Sequence, residues 1–222
     1  MAFSTEEEET LDSLKRWWNE SGKSLALGVV IFAVGYLGWT QWQGMQTAST
    51  AEASDLFEEL GTTVVLGPGV PVSDDALARA QTLIQQLKTE HADTSYALFG
   101  ALFGARLAVD RNDLAAAETE LQWLLDNTQS GLFGATDPSL ITTAQLRLAR
   151  VILARGDAAR ALALLDSVTP GAFEAEHAEI RGDVLVALGR TTEAQASFQA
   201  AQQAGSTSPT LQMKLDDLAL GS

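Results

Sequence analysis

Two stretches of the chain align at a constant offset of 33 residues. They are Ala149–Val168, ARVILARGDAARALALLDSV, and Gly182–Ala201, GDVLVALGRTTEAQASFQAA. Ala149 falls on Gly182, Ile152 on Leu185, Gly156 on Gly189, Ala161 on Ala194 and Leu165 on Phe198. An earlier copy fits at an offset of 44, with Ala105 on Ala149, Asn112 on Gly156, Asp113 on Asp157, Ala117 on Ala161 and Leu121 on Leu165. Its extra residues fall in the loop between Asp126 and Asp137. The spacing puts a small residue where one helix meets the next, a turn residue between the helices, and a large apolar residue on the second helix. One such helix pair cannot bury its apolar face alone, whereas stacked pairs can. The repeat therefore restricts residues 52–222 to an all-α stack of helical hairpins, with the scarcity of strand-like alternation as independent support.

The breaks between helices are marked by residue chemistry. Gly67-Pro68-Gly69-Val70-Pro71 reads as a loop, and Ser73 caps a helix beginning at Asp74-Asp75. Asp137-Pro138 is an N-cap followed by proline at the first helical position, and Ser208-Pro209 repeats the pair. Gly205 and Gly221 read as helix stops. Four hairpins are predicted, over 52–90, 95–127, 139–168 and 174–204, with a capping helix over 209–220. These positions resemble the tetratricopeptide repeat, although its early tryptophan and late proline are absent from their usual places. The resemblance implies a solenoid whose concave face, formed by the first helix of each pair, binds protein segments. The candidate contacts are Phe99, Leu102 and Arg106, then Thr143, Leu146 and Arg150, then Glu176, Glu179 and Asp183. Arg106 and Arg150 beside Phe99, Leu102 and Leu146 suit an extended, partly acidic segment. In the alternative reading, the two leucines are core and both arginines are merely solvated.

Ahead of the repeats, the 19 residues Ser24 to Trp42 carry no charge. At about 1.5 Å per helical residue they reach roughly 28 Å, near the thickness of a bilayer's hydrocarbon core. Trp17, Trp18, Trp39 and Trp42 stand at the ends, where indoles favour the lipid interface. A soluble core helix would carry a polar stripe. A cleaved signal would have a shorter apolar core and a less acidic leader. The expectation is a single uncleaved transmembrane helix over 24–42, between a leader, 1–23, and a linker, 43–51. Lys15, Arg16 and Lys23 precede the span and the next basic residue is Arg79, so the N-terminus is expected in the cytoplasm. Gly28, Gly35 and Gly38 are candidates for close helix packing in lipid. In the leader, Leu11, Leu14 and Trp18 share one helical face, which suits an interfacial helix or a docking site.

Composition narrows the function. The chain of 222 residues has a formal net charge of −15, which argues against nucleic acid and against an anionic lipid surface. The absence of cysteine excludes disulfides and thiol chemistry, and His91 and His177 are the only histidines. No phosphate-cradling glycine loop, Ser–His–Asp spacing or metal-ligand run is present, so no cofactor is called for and an enzyme is the least favoured class.

The whole layout, with Lys15-Arg16-Trp17-Trp18 and Asn19–Lys23 running into one span, then Trp39 and Trp42, then an acidic repeat domain, resembles the YfgM-like ancillary subunits of the bacterial SecYEG translocon. The resemblance implies a single-pass inner-membrane protein with a periplasmic repeat domain. Its implied partners are the SecYEG translocon, a PpiD-like periplasmic chaperone and exported polypeptides, and no catalytic residues are implied. Two other readings are compatible with the repeat: a scaffold for another envelope machine, and a regulatory anchor acting through its cytoplasmic leader.

Overall fold

A computed structural model describes residues 23–64, 72–129 and 135–220. Within the first helix, it describes the side chains of Phe32, of residues 34–40, and from Ser49 onward. The described residues form nine α-helices and one 3-10 turn, with no strand: α1 Lys23–Thr63, α2 Asp74–Glu90, α3 Ser95–Asp110, α4 Leu114–Asp126, α5 Pro138–Ala154, α6 Ala158–Ser167, α7 Glu174–Ala187, α8 Thr191–Gln203 and α9 Leu211–Leu220, with the turn at Gly171–Phe173. The chain divides into two compact units, Met1–Ala51 and Glu52–Ser222.

In the first unit, the described side chains of α1 face outward. Phe32, Val34, Tyr36, Leu37 and Trp39 are all exposed, and the Thr40 hydroxyl donates to the Leu37 carbonyl, 3.0 Å away. Among the described residues, no helix is long and apolar enough to cross a membrane. Much of the predicted span, including Gly28, lies outside the residues whose surroundings are described.

The second unit is a stack in which each helix from α2 to α9 packs on the next, and α5 also meets α7. The turns follow the repeat. Asn112, Gly156 and Gly189 occupy equivalent positions and adopt positive φ of 60°, 89° and 73°. In each, the next residue's N–H closes the helix end: Asp113 on the Ala108 carbonyl at 2.8 Å, Asp157 on Ile152 at 3.2 Å and Arg190 on Leu185 at 2.9 Å. This left-handed closure satisfies carbonyls the helix end leaves unpaired, and it favours glycine or asparagine. Asp113 and Asp157 then cap the following helices, accepting from the N–H of Ala116 and Arg160, both at 3.0 Å. Arg190, at the same place, cannot accept; its guanidinium pairs instead with Glu193 at 2.5 Å.

Ser73 caps α2 by accepting from Ala76 N–H at 3.2 Å. Asp137 caps α5 by accepting from Ser139 N–H at 2.8 Å, with Pro138 at the first helical position. Ser208 departs from the expectation. Its hydroxyl donates to Glu179 at 2.8 Å, a tertiary bond, and the last helix begins at Leu211 rather than 209. Gly205 does end α8, with φ 83°, while Gly221 and the loop 67–71 lie outside the described residues.

The repeated small residues Ala117, Ala161 and Ala194 are fully buried, which lets the paired helices approach closely. Leu121, Leu165 and Phe198, at equivalent places on the second helices, are each about 1% exposed and fill the space between pairs. One continuous core runs from α3 to α7. A second joins Ala53, Leu60 and Val64 to α2 and α3, and a third joins α7, α8 and Leu211 of α9.

Candidate functional site

The second unit contains a cavity of about 690 Å³. Its walls follow from helical periodicity. On α3, Phe99, Leu102, Phe103, Arg106 and Val109 form one stripe. On α5, Arg147, Arg150, Val151 and Ala154 form another at three- and four-residue steps. Phe57 of α1, Ala105 of α3, and Leu114 and Leu121 of α4 complete the lining. Phe57 lies 5.9 Å from Tyr96 and 6.1 Å from Phe99, ring centre to ring centre, in tilted geometry that aromatic pairs prefer.

Three guanidiniums border this apolar space. Arg106 pairs along its own helix with Asp110 at 2.8 Å, and Arg150 pairs with Glu176 at 2.6 Å. Arg147 is exposed and has no ion-pair partner among the described residues. Ion pairs this exposed contribute only about 0–1 kcal/mol, so an incoming carboxylate can exchange with them at little cost.

The structure brings Phe99, Leu102, Arg106 and Arg150 together at this cavity, with Glu176 held to Arg150. Leu146 has no exposed surface and packs inside the main core, so it presents nothing to a ligand. Thr143 is half-buried, and its hydroxyl donates to the Ser139 carbonyl at 2.8 Å. Glu179 and Asp183 serve a different contact. Both accept from Lys214 of α9, at 2.9 and 2.8 Å, and Glu179 also accepts from Ser206 and Ser208. Burial alone would raise the Glu179 carboxyl, but hydrogen bonds from Lys214 and the two serines outweigh it and hold it below the usual carboxylate range. Burial would likewise lower Lys214, and its bonds to Asp183 and Glu179 outweigh that and raise it. Of the span candidates, a Cβ added to Gly35 or Gly38 would meet nothing within 4 Å, and Gly28 lies outside the described surroundings.

Phe57, Phe103, Val109 and Arg147 were not among the sequence candidates. Arg147 sits three residues before Arg150 and Phe103 four after Phe99, so extending each helical stripe in both directions finds them. Phe57 belongs to a helix with no aligned repeat copy, and no local pattern marks it. Neither histidine faces the cavity. The His177 ring is bonded through Nε2 to the Leu165 carbonyl at 3.0 Å, and His91 is the buried C-cap of α2. An apolar space bordered by cations is chemically suited to an anionic, partly apolar group.

Comparison with known proteins agrees with this architecture. The family described as a tetratricopeptide repeat-like domain matches residues 15–220. The chain is 33% identical over 220 residues to the ancillary SecYEG translocon subunit of Haemophilus influenzae, covering 98% of this chain and 100% of the relative. It is 31% identical to that of Aggregatibacter actinomycetemcomitans, with the same coverage. It is 29% identical over 217 residues to that of Escherichia coli, covering 96% of this chain and 97% of the relative. No solved structure matches. Residue pattern, helical architecture and full-length similarity converge: the chain belongs to the YfgM-like family of ancillary SecYEG translocon subunits, built on a tetratricopeptide repeat-like domain.

Proposed function

We propose that this protein is a non-catalytic inner-membrane adaptor that associates with the SecYEG translocon. In this reading, residues 24–42 form one span with the N-terminus in the cytoplasm, and the repeat domain receives exported polypeptides in the periplasm beside a PpiD-like chaperone. The similarity over essentially the full length of the ancillary SecYEG translocon subunits carries this reading. Two further observations support it. The described side chains at 32 and 34–40 are all exposed although most are apolar, which suits a lipid environment better than water. The repeat domain offers a cavity rather than a flat face.

The test is purification of the full chain from membranes in a mild detergent, with topology read by thiol labelling. The chain has no cysteine, so single Ser4→Cys and Thr169→Cys substitutions report each side without background. The expected result is co-purified translocon subunits, with Thr169→Cys labelled from the periplasm and Ser4→Cys protected. The opposite labelling pattern, or recovery of a different envelope complex, would overturn the proposal.

A further inference from the structure

We propose that the cavity between Phe57, Phe99 and Arg147 selects short extended polypeptide segments in which a carboxylate side chain is flanked by large apolar side chains. This rests on the reading above that the repeat domain receives polypeptides, and it adds which segments are taken.

Charge is the first argument. Residues 52–222 hold 11 basic and 23 acidic residues, a net of −12, so positive potential is scarce on this domain. Three of those cations, Arg106, Arg147 and Arg150, nevertheless line the same cavity. Elsewhere most cations are held in ion pairs, among them Lys88 with Glu120, Arg155 and Arg160 with Glu118, and Lys214 with Glu179, while Arg111 stands apart from the cavity without one among the described residues. At the cavity the pairing is partial. Arg147 has no ion-pair partner among the described residues, and Arg106 and Arg150 hold exposed carboxylates that a ligand's own carboxylate can replace. Guanidinium suits this exchange, since it is planar, always charged and able to grip a carboxylate with two parallel bonds.

Size and wall chemistry give the rest. An extended chain advances about 3.3 Å per residue, so a cavity of about 690 Å³ takes only a short segment. The aromatic walls at Phe57 and Phe99 match large apolar side chains on either side of the acid. The membrane surface is a poorer match, because a domain of net −12 is repelled by anionic headgroups.

The test uses the full chain in lipid nanodiscs and three fluorescent pentapeptides, identical except for a central aspartate, asparagine or lysine between two phenylalanines. Anisotropy titrations are run on the wild type, on Arg147→Gln, on Arg147→Gln/Arg150→Gln and on Phe99→Ala, with circular dichroism confirming equal helix content. The expected result is about tenfold tighter binding of the aspartate peptide than of the asparagine peptide, with the lysine peptide weakest. That preference should fall about threefold in the single arginine variant, about tenfold in the double variant, and at about 0.5 M salt. Phe99→Ala should weaken all three peptides alike. Equal binding of aspartate and asparagine peptides, with Phe99→Ala still harmful, would overturn the charge selection and leave the polypeptide-receiving role intact. Absence of binding by every peptide would overturn both. Displacement of the aspartate peptide by hexadecanoate at lower concentration than by unlabelled peptide would overturn the proposal by assigning the cavity to a fatty acyl carboxylate.

Discussion

The Phe198 ring occupies the place where a side chain on Gly182 would stand: a Cβ built there would overlap Phe198 Cε1 and Cδ1. In the preceding repeat the same two positions hold Ala149 and Leu165, both buried. The larger residue on one helix is thus matched by the smaller on the other. Gly182→Ala should destabilise the repeat domain by about 1–3 kcal/mol through overpacking, despite alanine's better helix propensity. Phe198→Leu should remove most of that penalty when combined with Gly182→Ala, recreating the pair of the preceding repeat. Urea denaturation of the four members of this cycle checks it, and simple additivity would show that the two positions do not share the space.

Lys88 and Glu120 form a second cross-helix pair, with Nζ 2.8 and 2.9 Å from the two carboxylate oxygens. The Lys88 side chain is 8% exposed and its charge lies 5.0 Å from the Trp123 ring centre. Removing Glu120 would strand a desolvated ammonium, so Glu120→Ala should cost about 3 kcal/mol. Replacing both partners by Met and Leu should cost far less, because no buried charge is left unpaired. Denaturation midpoints of the single and double variants decide the point.

The positive-φ turns make a graded prediction. Gly156→Ala and Gly189→Ala should each cost about 1 kcal/mol, the penalty of a Cβ in the left-handed region. Asn112 already tolerates that region, so Asn112→Gly should change stability by less than about 1 kcal/mol, and Asn112→Val should cost more than either alanine. Thermal unfolding measures the series.

The capping helix α9 should respond to pH. Glu179 has a depressed pKa in the folded state, so its contribution is present above the unfolded carboxyl value of about 4.3 and is lost as pH falls through the lower folded value. Lys214 is raised, so its contribution is present below the unfolded value of about 10.4 and is lost as pH rises through the higher folded value. The helix 211–220 should therefore be best protected across the neutral range and loosen first at acid pH. Hydrogen exchange of Leu211–Leu220 between about pH 3.5 and 7 reads this after correction for intrinsic rates. Glu179→Gln should flatten the acid limb.

The repeat was legible because its determinants are local: a small residue, a turn residue and a large apolar residue at fixed steps. Asn112 could be placed with Gly156 and Gly189 because all three serve the same backbone conformation. The cavity was only partly legible. Phe99, Leu102, Arg106 and Arg150 follow from one helical stripe carried across the repeat. Leu146 does not, because α5 packs on α4, α6 and α7, and sequence spacing alone could not tell its core side from its cavity side. The contacts of Glu179, Asp183 and Ser208 were not legible for a different reason: Lys214 of α9 meets both carboxylates, the Ser208 hydroxyl meets Glu179, and Lys214 stands 35 residues from Glu179. Contacts between distant segments leave no periodic trace.

The proposed adaptor meets translocon subunits through residues 24–42 and polypeptides through the cavity of its repeat domain. Photo-crosslinking in living cells tests it most directly, using a probe residue at Phe32 and another at Phe99, both exposed, with mass spectrometry of the adducts. The expected result is translocon subunits captured from Phe32, and exported chains or a periplasmic chaperone from Phe99. Another envelope complex captured from both positions, with translocon subunits absent, would contradict it.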